Sequence, residues 1–161
     1  MKIEIIDFTP ELASHFARLN RAWIEKLFVM EPADLAELDH PERIVSEGGA
    51  VLFARAEGEV VGTVALQRWD DETFEVVKMG VSEAWQGHGI GRRLMVAIMA
   101  VARTRGVRWL RLETNSALVA ANALYRKTGF KPARMQSSLH GYARADVFLE
   151  MNLEENDAEQ I

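Results

Sequence analysis

Ile3, Ile5, Ile6 and Phe8 place apolar side chains in an otherwise polar stretch and predict a first strand. Thr9-Pro10-Glu11 follows as a helix start, with Thr9 as N-cap and Pro10 at the first helical position. That helix is predicted to run to about Phe28. A second short helix is predicted over about 41–47, stopped by Gly48-Gly49. Residues 50–56 and 60–67 carry strand signals and flank the turn Glu57-Gly58-Glu59, the pattern of a hairpin. Asp70-Asp71-Glu72 makes the next turn, and 73–81 the third strand of the series. A glycine-rich loop then leads into a long helix ending near Arg105-Gly106. Residues 107–114 read as a strand, 118–128 as a helix closed by Gly129, and 142–153 as a final strand. This order, with helices between strands and a run of hairpin-joined strands, predicts a mixed α/β (α+β) sheet with helices on its faces. No internal repeat or linker interrupts it. One domain is expected over 1–153, followed by a polar tail, 154–161.

Composition narrows the class. A chain of 161 residues with 48% hydrophobic content suits one domain with a real core. Absence of Cys excludes a disulfide framework, a thiolate metal site and a Cys nucleophile. The acidic, alternating N-terminus does not resemble a signal peptide. The longest apolar run, 94–102, is far too short to span a bilayer. A soluble, cytoplasmic protein with no membrane partner is expected. The net charge of -5 argues against nucleic acid as a partner and suits a cationic or amine ligand, although solubility alone accounts for it as well.

The sharpest local feature is Gln86-Gly87-His88-Gly89-Ile90-Gly91-Arg92-Arg93, set between a predicted strand and a helix. Glycines there let several backbone N–H groups converge on one point, and the following helix adds its positive end, so the loop is suited to phosphate. A P-loop needs Gly-Lys-Ser or Gly-Lys-Thr, whereas the last glycine here precedes Arg92-Arg93. A dinucleotide fingerprint needs Gly-x-Gly-x-x-Gly in the first βαβ unit, and neither the spacing nor the preceding hairpins fit. Arg92 and Arg93 oppose the helix dipole by roughly 0.3–1 kcal/mol each, which a bound anion would offset.

The spacing Gln-x-x-Gly-x-Gly resembles the pyrophosphate loop of the GNAT acetyltransferases. Glu75-Val76-Val77-Lys78-Met79-Gly80-Val81-Ser82 is similar to the strand that precedes that loop. Asn122-Ala123-Leu124-Tyr125-Arg126-Lys127-Thr128-Gly129-Phe130 looks like the family's late helix with its Leu-Tyr-x-x-x-Gly-Phe signature. The resemblance covers about 51–132. Trp23, Glu31, Asp34, Gly48-Gly49, 112–115 and 142–146 further resemble the acetyltransferase half of MarR-GNAT fusions. The resemblance implies a GNAT-type, mostly antiparallel sheet and an enzyme using acetyl-CoA as co-substrate, with no metal. It implies that Met79, Gly80 and Val81 pair with the pantetheine arm, that Gln86, Gly87, His88, Gly89, Ile90, Gly91 and Arg92 hold the pyrophosphate, and that Tyr125 protonates the departing thiolate. Family members often carry Asn seven residues before the Tyr. Leu118 stands there, with Asn115 and Asn122 nearby to substitute or to serve as turn and cap residues.

An amine with a pKa of about 10 must lose a proton before attacking a thioester. Glu75 is the first candidate base and Glu113 the second, each equally readable as a surface carboxylate; His140 is a weaker candidate. Trp23, Phe28, Trp69, Tyr142 and Arg144 could line the acceptor site, with Arg144 gripping a substrate carboxylate; Trp23 and Phe28 equally suit the core. His88 reads as a spacer. The expected function is transfer of acetyl to a primary amine of a small molecule, amino acid or peptide in a ternary complex. The alternative is a non-catalytic acyl-CoA-binding sensor. An exposed final strand would offer an edge for a homodimer.

Overall fold

The computed structural model describes residues 2–155; Met1 and 156–161, most of the predicted tail, lie outside them. The strands are β1 (Ile3–Asp7), β2 (Ala50–Ala56), β3 (Glu59–Arg68), β4 (Thr73–Val81), β5 (Trp109–Thr114), β6 (Lys131–Pro132) and β7 (Val147–Asn152). They form one sheet in the order β1-β2-β3-β4-β5-β7-β6, antiparallel except for the parallel pair β4–β5. The predicted mixed, mostly antiparallel sheet is the architecture found.

Helices α1 (Ala13–Leu27), α2 (Pro32–Leu38) and α3 (Pro41–Ser46) cover one face. Helices α4 (Ile90–Thr104) and α5 (Val119–Lys127) cover the other. In α1, Phe16, Leu19 and Ile24 turn inward at helical spacing. In α4 the buried stripe is Ile90, Leu94, Met95, Ile98, Met99 and Ala102. Leu94, Met95 and Ile98 are wholly buried, each worth roughly 1.5–3 kcal/mol of apolar transfer. Gly62 on β3 lets this helix approach closely, because a Cβ there would stand 3.0 Å from Leu94 Cδ1 and 3.1 Å from Ile90 Cγ2.

Four details depart from expectation. Pro10 opens a single 3-10 turn (Pro10–Leu12), Thr9 makes no side-chain cap, and the α-helix starts at Ala13. Helix α2 was not foreseen. Its start is a capping box in which the Glu31 carboxylate accepts from the Asp34 N–H and Asp34 Oδ2 accepts from the Glu31 N–H at 3.0 Å, with Pro32 in the first turn. The final strand begins at Val147 rather than 142, because Tyr142 and Arg144 are drawn onto α2. Finally, β7 is an interior strand between β5 and β6 rather than an exposed edge; the edge strands among the described residues are β1 and β6, and in β6 Pro132 lacks an N–H.

Candidate active site

Strands β4 and β5 pair only from Thr73↔Trp109 to Glu75↔Arg111. Beyond that point β5 stays with β7, while β4 bends at Lys78, whose φ is 53° and where the register against β3 slips between Thr63 and Ala65. The strands part, and a cleft of about 820 Å³ opens between them. Met79, Gly80 and Val81 line it with a backbone edge that faces no other strand among the described residues. Helix α1 presses against this segment: a Cβ on Gly80 would stand 3.0 Å from Trp23 Cδ1 and 3.1 Å from the Leu19 carbonyl oxygen. Gly80 therefore allows α1 to deliver Trp23 to the cleft, where it meets Phe28 edge to face at 6.3 Å.

The glycine loop forms the outer end. Gly87 and Gly89 hold φ of 82° and 77°, and a Cβ on either would meet nothing within 4 Å. Both are glycine for conformation rather than space. Gly89 is the N-cap of α4 and supplies no side chain, so the first-turn N–H groups of the helix remain available to a ligand. Gly87, Gly89, Ile90, Gly91 and Arg92 line the cleft. Gln86 also lines it while donating its amide to the Val81 carbonyl at 3.2 Å. His88 lies outside the lining, its Nδ1 near the Trp85 and Gln86 carbonyls and its ring against Trp85.

Tyr125 on α5 reaches the cleft from the opposite wall, its ring packed edge-on against Phe130. Burial pushes its phenol up to about 12, so it stays protonated at neutral pH. Asn115 lines the cleft but its side chain is engaged: Nδ2 donates to the Arg144 carbonyl and Oδ1 accepts from the Ala117 N–H. Asn122 does not line the cleft. Its Nδ2 donates to the carbonyls of Asn115 and Leu118, and it braces the β5–α5 turn.

The inner end is lined by α1, β4, β5 and the loop 133–146, with α2 packed behind Lys78, Tyr142 and Arg144. Glu75 is buried, and its Oε1 is hydrogen-bonded to His140 Nε2. Nδ1 of the same ring lies 3.8 Å from Glu37 Oε1. Burial raises the Glu75 pKa. Burial acts against the His140 cation, but the bond and charge of Glu75 outweigh it and raise the His140 pKa. The two thus hold a proton as a pair. Glu113 accepts from Ser138 Oγ and from the Leu139 N–H, which fixes the loop that carries His140. Arg111 anchors the same loop through the carbonyls of Met135 and Ser137.

Asp34 is wholly buried and holds two cations. Arg144 grips both its oxygens, at 2.7 and 2.5 Å, and also reaches Glu31 at 3.2 Å. Lys78 Nζ lies 2.6 Å from Asp34 Oδ1, 3.1 Å from the Tyr142 hydroxyl and 3.5 Å from Glu37. Burial raises the Asp34 pKa, but these bonds more than offset it and hold the carboxyl well below its usual range. Burial and nearby Glu37 keep the Tyr142 phenol protonated; it donates to Glu37 Oε2 at 3.1 Å.

Of the expected acceptor residues, Trp23, Phe28, Tyr142 and Arg144 line the cleft. Trp69 does not; it lies with Trp109 and Arg134 around a separate hollow of about 280 Å³. Arg144 does not offer a free guanidinium. Lys78 and Glu37 were not foreseen; the visible signal was a lone Lys inside the apolar run Val76-Val77-Lys78-Met79. Among the described residues no His, Asp and Glu cluster could hold a metal ion, and no helix is long and apolar enough to cross a membrane.

The chain matches the acetyltransferase (GNAT) family over residues 16–130. It is 32% identical over 141 residues to a probable N-acetyltransferase, camello, of Xenopus tropicalis, across 84% of this chain and 58% of that one. The chain spans 58–64% of the length of the first curated relatives it matches. In fold it is similar to a GNAT-family acetyltransferase of Staphylococcus aureus, with a TM-score of 0.85 at 20% identity, covering 94% of this chain and 99% of that one. It is also similar to the yncA structure of Salmonella typhimurium, solved with its cofactor acetyl-CoA, with a TM-score of 0.76 at 22% identity and 95% of each chain covered.

Proposed function

This chain belongs to the acetyltransferase (GNAT) family, and from that premise we propose that it transfers the acetyl group of acetyl-CoA to a primary amine by direct attack in a ternary complex. One observation carries this reading. The cleft-facing backbone edge of Met79, Gly80 and Val81, which no strand among the described residues covers, shares a single cleft with the open glycine loop and with Tyr125. An extended amide-bearing arm fits the first, a pyrophosphate the second, and a departing thiolate the third. Glu31, Asp34 and Arg144, among the residues on which the likeness to MarR-GNAT acetyltransferase halves is read, meet in one ion cluster.

Acetyl-CoA supplies the acyl group as a thioester. The β4 backbone would hold the pantetheine arm as an added strand, and an N–H of Met79, Gly80 or Val81 would polarise the acyl carbonyl. The N–H groups from Gly87 to Arg92 would hold the pyrophosphate, with Arg92 adding charge. In its deprotonated form the Glu75–His140 pair would accept the ammonium proton of the acceptor, which frees the nitrogen lone pair. The amine nitrogen would bond to the acyl carbon, the carbon–sulfur bond would break, and the Tyr125 hydroxyl would give its proton to sulfur; the second proton that the nitrogen sheds on becoming an amide leaves through solvent and restores the Tyr125 hydroxyl. Glu113 acts through its hold on the loop rather than as the base. Asn115 supports the inner rim, and Trp23, Phe28 and Tyr142 shape the acceptor end.

Calorimetric titration with acetyl-CoA, with ATP and NAD as controls, tests this assignment. Micromolar binding of acetyl-CoA alone, followed by amine-dependent thiol release, is the expected result. Binding without release under any amine would turn the chain into an acyl-CoA sensor, and no binding would remove the loop assignment.

A further inference from the structure

At the inner end of the cleft every cation already has a carboxylate. The Arg144 fork is closed on both Asp34 oxygens and reaches Glu31. The Lys78 ammonium faces Asp34, Glu37 and the Tyr142 hydroxyl. The His140 ring has Glu75 at one nitrogen and Glu37 near the other. Glu75 and Glu113 line the cleft, and Glu31, Asp34 and Glu37 stand behind the lining cations; these five carboxylates against three cationic side chains leave the region net negative even with His140 protonated. An ammonium is favoured there. A carboxylate on the same carbon would meet like charge and no unused donor fork.

The rest of this end is apolar. Trp23, Leu27 and Phe28 line it, and Leu27 is 53% exposed at the mouth. The Ala143 N–H bonds Glu31 and the Tyr142 hydroxyl bonds Glu37, which ties the 133–146 loop to α2 beside this end. That tie favours a compact acceptor over one that continues as a chain.

Building on the acetyltransferase reading, we propose that the acceptor is a small primary amine on an apolar, preferably aromatic, body with no carboxylate on the amine-bearing carbon. The chemistry of the site selects on both counts: the acidic inner end for the ammonium, and Trp23, Leu27 and Phe28 for the body.

The test uses matched acceptors with the full chain and saturating acetyl-CoA, read as thiol release. 2-Phenylethylamine and tryptamine are compared with phenylalanine and tryptophan, with ethanolamine as an amine lacking the apolar body and a phenylalanine-initiated tripeptide as the chain-like acceptor. We expect kcat/KM for each amine to exceed that of its amino acid by about 100-fold or more, with ethanolamine and the tripeptide well below the aromatic amines. Equal or better use of the amino acids, or of the tripeptide, overturns the proposal. In Asp34→Asn, which loosens the hold on Arg144, the amine-to-amino-acid ratio should narrow at least about tenfold; an unchanged ratio in the folded variant overturns the committed-cation argument. The wild-type ratios decide the matter if that variant does not fold. Titration of the same preparation with acetyl-CoA separates the two failures. Bound acetyl-CoA with carboxylate-bearing acceptors preferred overturns the acceptor class alone. Absence of binding overturns the reading beneath it, and the acceptor class with it.

Discussion

Asp34→Ala should strongly destabilise the fold at the ion cluster behind the cleft wall. Asp34 has no solvent exposure, and its two oxygens take Arg144 bidentately and Lys78 at 2.6 Å. The side chains of Lys78 and Arg144 are 4% and 12% exposed. Truncation leaves both cations beside a void with water largely excluded. Breaking a buried pair from one side costs about 3–5 kcal/mol, because the remaining charge is uncompensated. For a domain of this size each kcal/mol moves the midpoint by roughly 2–4 °C, so the melting temperature should fall by about 6–20 °C. Urea denaturation gives the free energy and a thermal scan the midpoint. Glu31→Gln is the control: its contact with Arg144 is 3.2 Å at 23% exposure, and it should lose no more than about 1 kcal/mol. A loss below about 1 kcal/mol for Asp34→Ala, with an unchanged denaturant slope, would refute the claim that this cluster ties α2 and the 133–146 loop to β4.

Tyr125→Phe should lower kcat by about 10²–10⁴, the usual yield of a positioned acid, with acetyl-CoA affinity retained; stopped-flow turnover beside calorimetry reads both, and unchanged turnover removes Tyr125 as the acid. Gly89→Val should abolish acetyl-CoA binding. Space at Gly89 is free and its φ is 77°, so the strain of a β-branched residue, on the order of 1–2 kcal/mol or more, falls on loop shape rather than on packing; intact affinity in a folded variant would discredit the loop. The Glu75–His140 pair gives stability a sign with pH. Both pKa values are raised in the folded protein, so the native state holds more protons than the unfolded chain near neutrality. The His140 contribution is full below about 6.5, its unfolded value, and is lost as pH rises through the folded value above it. Urea midpoints between pH 5 and 9 should decline on the alkaline side. In His140→Gln that decline should flatten, and a profile identical to wild type would show that the pair is not coupled to folding.

What was legible in the sequence follows the range of the forces involved. The bounds of 50–56 and 73–81 were readable because mostly apolar runs end at turn residues, and burial dominates such strands. The glycine loop was readable because its chemistry is local: two positive-φ glycines and a helix start lie within a few residues. Helix α2 was missed because only a seven-residue, half-polar stretch announces it, although Glu31-Pro32-Ala33-Asp34 carries a capping signal. The alternation in 142–146 mimics a strand, yet Arg144 pairs with Asp34, 110 residues earlier, and that bond pulls the segment off the sheet. The same bond reverses the expected role of Arg144, from gripping a substrate carboxylate to closing the site against one. The acceptor end draws on α1, α2, β4 and the 133–146 loop, and no sequence window contains two of its ion pairs. The cofactor side of the cleft can therefore be inferred from motif, whereas selectivity for the acceptor depends on which carboxylate claims each cation, and that is decided only once the chain has folded.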